Sequence, residues 1–174
     1  MLRSWLKDRR GTAAVEFAFI APIMILLYYG LSELTQGMMA DRRASHVAST
    51  IGDLVAQDTT VNPTEMTDVF NVGNALIAPF PSATLSMRVT SVKANSGGTP
   101  LVVWSQTKGS LSALSGTVTG IPTGLIAANE SLIMAEVSYT YNSTLKKVLP
   151  SPVVFTQKYY LKPRKTGEVL WSAT

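Results

Sequence analysis

From Thr12 to Leu34 the chain is apolar around the whole of a helical wheel. Glu16 is the one side chain between Arg10 and Glu33 whose charge matters at neutral pH. These 23 residues would make a helix of roughly 34 Å, enough to cross a ~30 Å hydrocarbon core. Past Leu34 the helical period continues but the pattern changes. Ala40, Ala44, Val47, Ala48, Ile51, Leu54 and Val55 recur at three- and four-residue steps, with Asp41, Arg42, Arg43, Ser45 and Asp53 between them. That is the spacing of an amphipathic helix. One helix of roughly 65 Å is therefore predicted from Thr12 to about Val55, its first half suited to lipid and its second to a packed domain. Pro22 removes the hydrogen bond its nitrogen would give the Ala18 carbonyl, which predicts a kink that membrane helices tolerate.

A second helix starts near Asn62. Asn62 caps it, Pro63 suits the first turn, and Glu65 completes a capping box. Met66, Val69, Phe70, Gly73, Leu76 and Ile77 form its inner stripe, and Pro79 and Pro81 end it. From Ala83 the period becomes two. Leu85, Met87 and Val89 alternate with Ser86, Arg88 and Thr90, predicting a half-buried strand to about Lys93. A turn at Asn95–Pro100 leads to a partner strand at Leu101–Thr107. Residues 108–128, rich in Gly, Ser and Thr, read as a long surface loop. Ile133, Ala135, Val137, Tyr139 and Tyr141 mark the clearest strand. After Pro150 and Pro152, Val154–Lys162 makes another, with Phe155, Gln157, Tyr159 and Leu161 on one face. The fold class is α+β: a three- or four-stranded antiparallel sheet packed on helices, in a domain of about 120 residues.

Charge changes this picture less than the pI near 9.4 suggests. The first eleven residues hold Arg3, Lys7, Arg9 and Arg10 against Asp8; without them, 11 basic and 10 acidic residues remain of 15 and 11. The basic excess belongs to targeting, and a nucleic-acid partner is not expected. Basic residues before the span, with Glu33 only at its far end, place the N-terminus in the cytoplasm and the rest outside. A cleaved secretory signal fits the basic start but not the long apolar run, Glu16, or the missing small-residue cleavage site. A twin-arginine signal is unsupported, since Arg9-Arg10 abuts the span without the rest of that motif. The absence of cysteine excludes disulfides and thiolate metal sites.

Few groups could carry catalysis. His46, the sole histidine, reads as a solvated helix residue, so a His-based triad or multi-His metal site is excluded. Glu130 and Glu136 read as solvent-facing strand residues. Asn142-Ser143-Thr144 matches a glycosylation sequon by chance composition. Lys158, Lys162, Arg164 and Lys165 form a basic cluster, read as a solvated edge that discourages strand pairing, with lipid or a partner as the other reading. Gly116, Gly120 and Gly124 lack the lysine and the strand–helix context of a phosphate loop. No enzyme activity, cofactor, metal or small-molecule substrate is expected.

The junction at Arg9-Arg10-Gly11-Thr12-Ala13-Ala14-Val15-Glu16-Phe17 carries the functional signal. A carboxylate within an apolar span costs about 2.5–3.5 kcal/mol at a bilayer centre, and so marks function by default. Basic leader, glycine, four small or apolar residues, glutamate and an aromatic together resemble a class III prepilin signal. The chain resembles TadE/TadG-like proteins, the pseudopilins or minor pilins of the Flp/Tad tight adherence pilus. Glu130–Tyr141 and Tyr159–Lys165 are similar to the C-terminal strands of that family, leaving roughly 60–128 unmatched.

The resemblance implies cleavage by a prepilin peptidase between Gly11 and Thr12, making Glu16 the fifth residue of the mature chain. Lys7, Arg9 and Arg10 supply leader charge. Major Flp pilins carry Glu-Tyr where this chain has Glu16-Phe17 and are much shorter, which favours a TadE/TadG-like member over the major subunit. The implied layout is a pilin-like lollipop: leader 1–11, transmembrane helix 12–34, juxtamembrane amphipathic helix 35–57 and periplasmic α+β domain 58–174. Its implied partners are the prepilin peptidase, other Tad pilins or pseudopilins, the inner-membrane assembly platform and membrane lipid. Its implied location is the bacterial inner membrane as a single span, with the pilus as a second location after processing. Two functions stay open: a processed pseudopilin in pilus assembly or initiation, or an uncleaved anchor whose outer domain scaffolds the secretion machinery.

Overall fold

The computed structural model describes residues 11–143 and 152–173. The leader charges Lys7, Arg9 and Arg10, together with Thr144 of the sequon and Pro150, lie outside the described residues. Helix α1 runs from Thr12 to Ala56 and is helical throughout, Pro22 included. Its first half stands clear of the domain. Phe17 and Phe19 are 71% and 74% exposed, and the most apolar stretch of the helix is not buried at all.

Burial on α1 begins at Glu33 and then follows one face through Gly37, Ala40, Ala44, Val47, Ala48, Ile51, Gly52, Val55 and Ala56. Leu54, expected on this stripe, is only half-buried. Small residues dominate because the sheet comes close. A Cβ on Gly52 would lie 2.6 Å from Leu161 Cδ1 and 2.9 Å from the Ala135 Cβ. Val47, Ile51 and Val55 fill the space between, each contributing about 1.5–3 kcal/mol by burial.

Strand β1 (Thr60–Val61) leads into helix α2 (Pro63–Leu76), which has the expected cap. Asn62 Oδ1 accepts from the Thr64 and Glu65 amides, and the Asn62 amide donates to Glu65 Oε2 at 3.0 Å. Met66, Phe70, Gly73 and Ile77 are buried, while Val69 and Leu76 pack at the margin. Strands β2 (Leu85–Ala94), β3 (Pro100–Lys108), β4 (Ser131–Tyr141) and β5 (Val153–Leu161) form one antiparallel sheet in the order β3-β2-β4-β5. On its inner face Met87, Val89, Ile133, Ala135, Val137 and Tyr139 meet α1 and α2 in a single core.

One expectation needs correction, and a second feature was not expected at all. Strand β2 is not half-buried: Ser86 and Thr90, on the outer face, are buried along with the apolar residues of the inner one. The cause is the segment 109–130, which is a cover over the outer face of the sheet. Val118 from this segment packs on Val92 and Met134, with Leu114 and Ile121 beside it. Polar atoms beneath the cover pair with it or with β3: Ser86 with Ser110 at 2.9 Å, and Thr90 with Ser105 at 2.9 Å. A second feature had no sequence signal. Strand β6 (Leu170–Trp171) pairs parallel with β1, and Trp104 donates from Nε1 to the Val169 carbonyl at 2.8 Å. This pair ties the C-terminal segment to the end of α1.

Candidate functional site

Gly11 is exposed and caps α1 with an ordinary right-handed φ of −81°. No described residue lies within 4 Å of where its Cβ would be. Neither backbone conformation nor packing therefore requires glycine at this position. Thr12 is the first helical residue. Glu16 and Phe17 follow on the exposed part of α1, and Glu16 has no hydrogen bond or ion pair among the described residues. Pro22 is exposed too. The structure thus aligns these positions on one bare apolar helix.

At the other end of that bare segment the structure builds a site that the sequence pattern did not reveal. Glu33 is 1% exposed, and the Ser143 hydroxyl donates to its Oε1 at 2.8 Å. Tyr141 lies beside them. Burial pushes its phenol above the ordinary value, and the Glu33 charge pushes it further, while the Ser143 hydrogen bond opposes both. The available signal was phase: Glu33, Gly37, Ala40 and Ala44 fall on one helical face, so Glu33 belongs to the buried stripe and does not merely mark where the span ends.

Glu136 also departs from expectation. It is 6% exposed, not solvent-facing. It stands in register between Arg88 on β2 and Lys158 on β5. Arg88 Nε donates to Glu136 Oε2 at 2.6 Å, and Lys158 Nζ lies 2.7 Å from Oε1. The cover completes the enclosure, because Arg88 also donates to the Ser112 carbonyl at 2.7 Å. Alternation correctly put Glu136 on the outer face, but only tertiary contacts bury that face.

The C-terminal basic cluster is largely neutralised within the domain. Lys162 meets Glu130 at 2.8 Å and Arg164 pairs with Asp53. The Lys162 hydrogen bond, the Ala127 amide and the Lys162 charge hold the Glu130 carboxyl below its usual range. Strand β5, which carries Lys158, is an edge of the sheet. His46 is exposed, as expected.

The family model described as TadE-like protein matches residues 11–52. Residues 11–52 are therefore similar to that family. The TadE-like segment starts at the helix cap, takes in the bare apolar half of α1, and ends at the glycine where α1 touches β4 and β5. The later segments expected to be similar to the family, Glu130–Tyr141 and Tyr159–Lys165, lie outside the match. No curated protein matches the chain, and no solved structure does.

Proposed function

We propose that the chain is a TadE-like pseudopilin that takes part in assembly or initiation of a Tad-type pilus. The observation that carries this is the bare apolar half of α1, joined without a break to a half that forms the core of the domain. An isolated apolar helix of this length has no favourable place in water, whereas a bilayer or a bundle of like helices accommodates it. In this reading residues 12–34 span the inner membrane once, 35–57 continue into the periplasm, and 58–174 complete the domain. Residues 1–11 are the cytoplasmic leader.

A prepilin peptidase separates that leader between Gly11 and Thr12. The fold makes no demand for glycine at Gly11, which supports a role in recognition: a protease site that must admit an extended strand is blocked by a bulky side chain. Cleavage leaves an α-amine on Thr12, and Glu16 neutralises that charge on a neighbouring subunit within an apolar bundle. The partners are then the peptidase, other Tad pilins or pseudopilins, and the inner-membrane assembly platform. The role is structural, not catalytic.

Intact mass of the protein from native membranes tests processing. A chain beginning at Thr12, and an uncut Gly11→Arg precursor, are expected. A mass retaining the leader in cells with active peptidase overturns the pseudopilin reading and leaves the uncleaved scaffold. Glu16→Gln separates maturation from assembly: cleavage and membrane insertion persist while pilus-dependent attachment is lost. Normal attachment by this variant removes the assembly role of Glu16.

A further inference from the structure

Arg42 and Arg43 stand apart from most of the described cations of the domain. Arg88, Lys93, Lys158, Lys162 and Arg164 each have a carboxylate partner. Arg42 and Arg43 have none among the described residues, and both are exposed. Their neighbour in sequence, Asp41, is turned toward the sheet, where Gln157 donates to it at 2.6 Å. With Met38, Met39 and His46 the two arginines form a stripe on the side of α1 away from the domain. Met38 and Met39 are 52% and 44% exposed. Among the described residues Lys108 and Lys165 are also without a carboxylate, but Lys108 donates to Asn71 Oδ1 at 3.2 Å, and Lys165 lies at the far end of the domain, next to the residue that pairs with Asp53.

Height above the bilayer decides what this stripe meets. On the proposed function's reading the span ends near Leu34, so Met38 and Met39 rise about 6–8 Å above it and Arg42 and Arg43 about 12–14 Å. The headgroup layer adds about 5–8 Å per leaflet. Side chains on a helix lean toward its N-terminus, here toward the membrane, and arginine is long and flexible. The methionines therefore sit within the headgroup layer, and the guanidinium groups reach its phosphates when the helix leans to the bare side. No described residue of the domain obstructs that side, because the buried face of α1 is the opposite one.

We propose that Arg42 and Arg43 bind the phosphates of anionic phospholipid in the outer leaflet, and that this contact sets the tilt of the domain on the membrane. The occupant is the bilayer surface and not an acidic protein. The stripe is continuous with the membrane-spanning face and amphipathic in the sense an interface requires, with methionine toward lipid and arginine above it. Guanidinium also matches phosphate by paired donors.

The whole chain, reconstituted into vesicles, tests this. It contains no cysteine, so Ser96→Cys gives a single label site in the exposed β2–β3 turn, at the end of the sheet away from Glu33. Energy transfer from this label to a lipid acceptor reports tilt. Vesicles with about one-third phosphatidylglycerol should give higher transfer than pure phosphatidylcholine, and the excess should vanish in 1 M salt, where the Debye length is about 3 Å. Arg42→Gln with Arg43→Gln should lower the docked-to-undocked ratio roughly 25-fold, or fivefold per arginine at about 1 kcal/mol each. Equal transfer in both lipids, or an unchanged double variant, overturns the proposal. So does lipid-independent self-quenching that grows with protein density and is lost in the double variant, since the stripe would then hold a second copy. Flotation separates this from the reading beneath it: protein that fails to float with vesicles refutes the membrane span itself, whereas floating protein without lipid dependence refutes only the headgroup contact.

Discussion

Glu16 and Glu33 are carried by one helix, and each interrupts an apolar stretch, but their surroundings are opposite. Glu16 is exposed on the bare half of α1, with no partner among the described residues. Glu33 is buried, accepts from Ser143 and raises the phenol of Tyr141. A buried carboxylate that already has partners is part of the domain. A carboxylate on an apolar helix that lacks them is, on the proposed function, open to a partner from outside. The two halves of α1 should accordingly fail in different ways: changes in the upper half unfold the domain, while changes in the lower half leave it folded and impair what it joins.

The hardest blow to the domain should come from Glu136→Ala. It strands Arg88 beneath the cover and removes the partner of Lys158, so a loss of about 3–5 kcal/mol is expected. Urea denaturation of the full chain in detergent measures it, and a change below 1 kcal/mol would show that Arg88 is solvated despite its position. Next is Gly52→Val. Its Cβ would overlap that of Ala135, and the added methyls worsen the overlap, so about 1–3 kcal/mol should be lost by forced separation of α1 from the sheet. Ser143→Ala removes a hydrogen bond to a buried carboxylate and should cost about 1.5–3 kcal/mol in the same assay.

Alkaline titration probes the same corner of the domain. Burial raises the phenols of Tyr139 and Tyr141 above their ordinary 10.0, and the Glu33 charge raises Tyr141 further. The unfolded chain releases these protons first. Stability is therefore full below pH 10 and falls as pH climbs toward the folded-state values. Tyr141→Phe should reduce that slope without shifting the neutral-pH midpoint by more than a small amount, read from thermal melts across pH 9 to 11. The smallest effect is expected at the bare end. Phe19→Ser should change domain stability by less than about 0.5 kcal/mol, and a larger loss would mean that the lower half of α1 packs on its own domain.

Local patterns carried much of this fold. Continuous apolar residues followed by a 3.6-residue stripe specified α1 from Thr12 to its end, because helix period and burial face depend on neighbours three and four apart. The Asn62–Glu65 box placed the start of α2, since both partners lie within one turn. Alternation located β2 through β5 and put Gln157 and Tyr159 on the face toward α1, where they bond Asp41 and Ser45. The Gly11–Glu16 spacing is likewise a short linear pattern that needs no tertiary context, and its processing role rests on the proposed function. What only the tertiary structure decided is which polar residues are enclosed. Period-two spacing assigns Glu136, Ser86 and Thr90 to the outer face but cannot say that residues 109–130 fold back over it. Nor does any local pattern announce the two-residue pairing of β1 with β6, or that Glu33 meets Ser143 from the other end of the chain. Burial is set by contacts between distant segments, and a chain read residue by residue contains the faces but not what covers them.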